Sequence, residues 1–174
     1  MIKKTIEKNR GVSLLEILIY VAILASILVV VINTLISLNG SFVGIRLSKE
    51  VNTSAVTAFD RITNEVRKAK SIDQSASVFG VNPSVLMLST TDDGGNPTTV
   101  IFSINNGQLH IARGGLDIGA LTADNVTVTD FTVNFIDAGR SGVVTATLGL
   151  TGTRGKRIIS ETFRTAEVTR NQEI

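Results

Sequence analysis

Few side chains in this sequence have types and spacings suited to chemistry. Glu16 is the sharpest case. It stands in KNRGVSLLEILIYVAI, residues 8–23, and no further charged residue appears until Arg46. An ionisable group in so apolar a segment is costly to place in lipid, so it calls for a partner. His110 is the sole histidine. One imidazole cannot build a multi-histidine metal site, and its alternation with Leu109 and Ile111 puts it on the exposed, polar face of a strand. A Ser-His-Asp triad would have to use it. No nucleophile-elbow motif accompanies any serine, and Ser13 lies in the apolar run. The chain is therefore not expected to be an enzyme.

Asp92, Asp93 and Asn96 crowd a loop and could offer oxygen ligands to calcium. Their spacing does not match an EF-hand, and turn chemistry favours the same residues. A plain turn is expected, with no metal or cofactor. Arg154, Lys156 and Arg157 form a basic turn, with Arg140 in a nearby hairpin position. Such a patch could touch phosphates, yet no aromatic accompanies it for base stacking. A solvated turn is expected, which argues against a nucleic-acid partner. GGLDIGALTADN, residues 114–125, is glycine-rich but lacks a phosphate-loop lysine. It reads as a connecting loop, a place for partner specificity.

The elements that would hold these groups follow from length, charge and periodicity. A chain of 174 residues allows one ordinary domain plus an appended element. The absence of cysteine excludes disulfides and thiolate sites. Residues 1–11 carry Lys3, Lys4, Lys8 and Arg10 against Glu7. Removing those from the chain's 17 basic and 15 acidic residues leaves 13 against 14, so the net +2 resides in the N-terminal block. The high pI is thus poor evidence for nucleic-acid binding by the remainder. Next comes ILIYVAILASILVVVI, residues 17–32, with Val12 to Leu15 ahead and Leu35 and Ile36 behind. The run is long enough for a membrane-spanning helix. It is longer than the apolar core of a cleaved secretory signal. The basic block before it should stay cytoplasmic, so the bulk of the chain faces outward.

After this run the pattern becomes amphipathic. Phe42, Ile45, Val51, Ala55, Ala58, Phe59, Ile62, Val66 and Ala69 recur at helical spacing, with Lys49, Glu50, Asp60, Arg61, Glu65, Arg67 and Lys68 filling the polar side. One helix over residues 12–70 is expected, weakest at Asn33, Thr34, Asn39 and Gly40. Residues 71–174 read as strands and turns. The strands are placed at 84–89, 99–104, 108–113, 126–136, 142–150 and 157–168. Asn-Asn-Gly joins the second to the third as a tight hairpin. In VTVTDFTVNFI the alternation changes phase near Asp130, which predicts a bulge or break. Short connections favour antiparallel pairing. The expected fold class is α+β: an apolar half-helix, then an amphipathic half packed on an antiparallel sheet.

With these residues in view, the N-terminus resembles that of type IV pilin-like proteins. KNRG followed by VSLLEILIYVAILASILVV matches the family's pattern of a basic leader, a glycine, and an acidic residue at the fifth position of the apolar stretch. The match covers about thirty residues; beyond it only the layout, a long helix and then a sheet-rich head, is similar. The resemblance implies that residues 1–11 are a leader removed after Gly11 by a prepilin peptidase. Val12 would become the N-terminus and be N-methylated, and Glu16 would guide assembly. Residues 12–36 would span the membrane and later the filament core, residues 37–70 would continue the helix, and residues 71–174 would form the head. The implied partners are other pilin-like subunits, the prepilin peptidase/methyltransferase, an inner-membrane assembly platform and, before assembly, lipid. The implied location is the cytoplasmic membrane with the head outside, then an extracellular or periplasmic filament. Most family members begin the mature chain with phenylalanine. Val12 departs from that, and with the ending ETFRTAEVTRN it points to a minor subunit of a type IV pilus. A type II secretion pseudopilin or a competence pilus carries the same motif. A membrane-anchored binding domain that never polymerises would keep residues 1–11.

Overall fold

Ser13 opens the described part of the chain as a helix cap, its carbonyl accepting from the amides of Glu16 (2.9 Å) and Ile17 (3.2 Å). A computed structural model describes residues 13–137 and 141–170. Helix α1 then runs Leu14–Lys68 without interruption. Asn33, Thr34, Asn39 and Gly40 do not break it. No proline removes a backbone donor, and an isolated glycine costs only about 1 kcal/mol. The chain divides into two units, one ending at Phe42 and the other beginning at Val43. In the first unit every side chain over residues 13–39 is exposed. That stretch is long and apolar enough to cross a membrane.

The second unit is α+β, with the C-terminal half of α1 packed on antiparallel sheets. The buried face of α1 carries Leu47, Val51, Ser54, Ala55, Ala58, Ile62, Glu65 and Val66. These recur at steps of three and four. Each large aliphatic among them stabilises by roughly 1.5–3 kcal/mol on leaving water. The expected stripe is corrected at four residues. Phe42 is 60% exposed and Ile45 is exposed too, while Leu47 is fully buried. Glu65, expected on the polar side, is buried. It falls on the Ala58–Ile62–Ala69 stripe, and its charge is paired there.

The strands are β1 (Ser71–Ile72), β2 (Leu86–Thr91), β3 (Pro97–Asn105), β4 (Gln108–Arg113), β5 (Leu116–Ala120), β6 (Val126–Asp137), β7 (Ser141–Arg154) and β8 (Arg157–Arg170). They form two sheets rather than one, ordered β1-β2-β3-β4-β5 and β6-β7-β8. All pairings are antiparallel. The β3–β4 hairpin turns at Asn106 and Gly107, both with positive φ (49° and 76°), as a two-residue turn of that hand requires. In β6 the register passes from Val128↔Leu150 to Asp130↔Gly149, so Thr129 is the extra residue of a bulge. Val126 and Val128 before it, and Phe131 and Val133 after it, all stay buried. The bulge is what keeps both sets on the core side. The segment 114–125 is not wholly a loop, since it contains strand β5. Gly114 and Gly115, with φ of 57° and 82°, make the turn into it.

The first sheet's core face is built from rows across the strands. Leu86, Phe102 and Ile111 form one, and Leu88, Val100 and Arg113 the next. Because side chains alternate along β4, Leu109, Ile111 and Arg113 share the face that meets α1. That parity carries a guanidinium to the helix.

Candidate functional site

Glu16 sits in the first turn of α1. A carboxylate there is favoured by the positive end of the helix dipole. Its Oε1 accepts a hydrogen bond from the Tyr20 hydroxyl at 2.8 Å. Gly11 and Val12 lie outside the described residues, so of the three residues singled out by motif the structure places Glu16. Around it the helix surface is aliphatic: Leu14, Leu15, Ile17, Leu18 and Ile19 are all exposed. Exposed apolar surface of this extent marks a membrane or protein contact.

The second unit holds a charged constellation that sequence reading missed. Glu65 is only 2% exposed. Arg113 Nη2 donates to both of its oxygens at 2.8 Å, and Arg61 Nη2 lies 3.0 Å from Oε1. Two guanidiniums thus hold one buried carboxylate. The position of Glu65 on the apolar stripe was a usable signal; that Arg113 would reach it depended on strand parity. Next to it lies an open depression of about 520 Å³, lined by Arg61, Lys68 and Arg113 and by Glu65, Asp92 and Asp93. Its basic and acidic groups balance, so it presents no net charge to select an ion.

Other side chains tie α1 to the sheets. Arg67 Nε and Nη2 donate to Glu167 at 2.8 and 3.2 Å. Arg67's hydrogen bond and charge hold the Glu167 carboxyl below the usual range. Glu50 accepts from Arg154 at 3.1 Å and from the Asn125 side chain. Ser54 Oγ accepts from the Ala123 amide at 3.2 Å.

The remaining candidate residues are placed as follows. His110 is not freely exposed: its ring is half-buried and Nδ1 is 2.9 Å from Asp117 Oδ2. It lies on the outer face of β4, where the Asp117 side chain of β5 reaches it. Asp92 Oδ1 accepts from the amides of Asn96 (2.8 Å) and Gly94 (2.9 Å). The Asn96 backbone and side chain, then Gly94, hold the Asp92 carboxyl below its ordinary pKa. Asp92 is thus the acceptor that closes a turn, as its residue type predicts. Among the described residues no three His, Asp or Glu side chains converge to hold a metal ion. Arg154 is engaged by Glu50, and Lys156 and Arg157 are exposed in the β7–β8 turn. Arg140 lies outside the described residues. No family model, no curated protein and no solved structure matches this chain.

Proposed function

We propose that this chain is a pilin-like filament subunit made as a membrane-inserted precursor. In this reading the leader is cut after Gly11, the amine of Val12 is methylated, and assembly runs through the apolar half of α1. The observation that supports it most is one carboxylate, Glu16, in the first turn of a helix whose following side chains are mostly aliphatic and are all exposed as far as residue 39. A free or methylated amine at Val12 is cationic near neutral pH. Glu16 lies four residues on in the sequence. When helices bundle and water leaves, Glu16 pairs with the amine of a neighbouring copy, and a paired charge is tolerated where a lone one is not. Other axial registers leave both charges unmatched, so the pair also selects the stagger between subunits. Val12 in place of the usual phenylalanine favours a minor subunit over the major one.

The test is mass spectrometry of the N-terminus of protein purified with and without a prepilin peptidase. The expected product with the peptidase begins at a methylated Val12. An intact Met1 in its presence would leave a membrane-anchored, non-polymerising domain as the reading. For the assembly contact, Glu16→Leu is expected to keep membrane insertion and to lose incorporation into sheared filaments on immunoblot. Normal incorporation of that variant contradicts the pairing.

A further inference from the structure

The hydroxyls of the apolar half-helix are mostly satisfied within it. Ser26 donates to the Ala22 carbonyl at 2.9 Å, Thr34 to Val30 at 2.8 Å and Ser41 to Ser37 at 3.1 Å. Bonding to the carbonyl four residues back is how such groups are accommodated where water is absent. Tyr20 differs. Its phenol reaches a side chain, Glu16 Oε1, at 2.8 Å. The position is the one that permits this. Helical side chains lean towards the N-terminus, so residue i+4 covers the surface above residue i.

We infer that Tyr20 is a positioning residue for Glu16: its hydroxyl holds one carboxylate oxygen and leaves the other for the cationic amine of an incoming copy of this chain. The inference rests on the subunit reading above. A carboxylate accepts several hydrogen bonds through two oxygens, so the phenol need not leave when the amine arrives. Before assembly the phenol gives the carboxylate a charge-assisted donor in an environment without water. It also fixes a flexible side chain in one orientation, which lowers the ordering cost of association. The hydroxyl is needed, and the ring alone does not suffice.

The decisive variant is Tyr20→Phe in the full chain, in cells that hold the peptidase and filament machinery. Membrane insertion and leader cleavage are expected to be unchanged, and incorporation into sheared filaments is expected to fall about tenfold, as for a lost hydrogen bond to a charged group. Tyr20→Leu should behave the same, with insertion showing that the helix persists. A second readout needs no filament. The chain has one tyrosine and no tryptophan, so its emission reports on this hydroxyl alone. A carboxylate that accepts from a phenol quenches it. Purified full chain in phosphatidylethanolamine/phosphatidylglycerol vesicles should therefore brighten on Glu16→Leu. Unchanged emission overturns the contact. Wild-type incorporation of Tyr20→Phe overturns the positioning role alone. A wild-type chain that never enters filaments refutes the subunit reading and takes the positioning role with it.

Discussion

Replacing Arg113 tests whether the Glu65 constellation holds α1 to the first sheet. Arg113→Ala removes both 2.8 Å hydrogen bonds to a carboxylate that is almost wholly buried. Two unit charges about 4 Å apart attract by about 4 kcal/mol at an effective dielectric constant of about 20. Removing one partner of a buried pair typically costs about 3–5 kcal/mol, much of it from the charge left behind. Two features lower that here. Arg61 remains 3.0 Å from Oε1, and Arg113 is about a third exposed, so water can enter its place. A loss of about 2–3 kcal/mol is expected, or about 10 °C in Tm for a head of this size. Arg61→Ala, which removes a partly exposed i,i+4 pair, should cost only about 0.5 kcal/mol. Arg113→Met keeps the aliphatic stem and should lose nearly as much as the alanine variant, which separates charge from packing. In the Glu65→Gln background no buried charge is stranded, and Arg113→Ala should cost only about 1 kcal/mol. The assay is urea unfolding of the full chain in detergent micelles, followed by far-UV circular dichroism. Equal losses from Arg113→Ala in the two backgrounds, or a loss no larger than that of Arg61→Ala, refute the buried-charge account.

Two further perturbations probe the seams of the second unit. An added Cβ at Gly152 would lie 2.7 Å from Val51 Cγ2 and 2.8 Å from Leu47 Cδ1, both on fully buried side chains. Gly152→Ala should cost about 1–3 kcal/mol by overpacking, read as a lower urea midpoint, whereas Gly155→Ala meets only the strain of its positive φ. Glu167 is held below the usual carboxylate range by Arg67, so its contribution is present above the unfolded pKa and lost as pH falls through the lower folded value. Tm should therefore decline on acidification through and below the ordinary glutamate range. Glu167→Gln should remove part of that decline, and an unchanged pH profile argues against the Arg67 contact.

Much of the fold was legible because the responsible signals are local. Helical spacing from Val51 to Ala69 located the buried face of α1, and Asn106–Gly107 located the β3–β4 turn. The change of parity around Asp130 located the bulge at Thr129. Where reading failed, a local pattern was ambiguous. Phe42 and Ile45 continue the apolar periodicity, yet both are exposed. Gly114, Gly115 and Gly119 made residues 114–125 look like a loop, although two adjacent glycines are also a hairpin signal. The strand partner that decides the matter, β4, pairs through Ile111↔Gly119 and Ala112↔Asp117.

The sequence by itself determined the charge asymmetry, the apolar helix with Glu16 near its start, and the α+β class. Each depends on composition or on periodicity along one element. Tertiary structure alone decided that there are two sheets and that Arg113 is the group that reaches the buried Glu65. Those depend on strand parity and register between residues 48 positions apart. In such pairings a shift of one residue turns every side chain to the other face. The separate segments mark which face of each strand turns inward, but not which helix residue meets which strand.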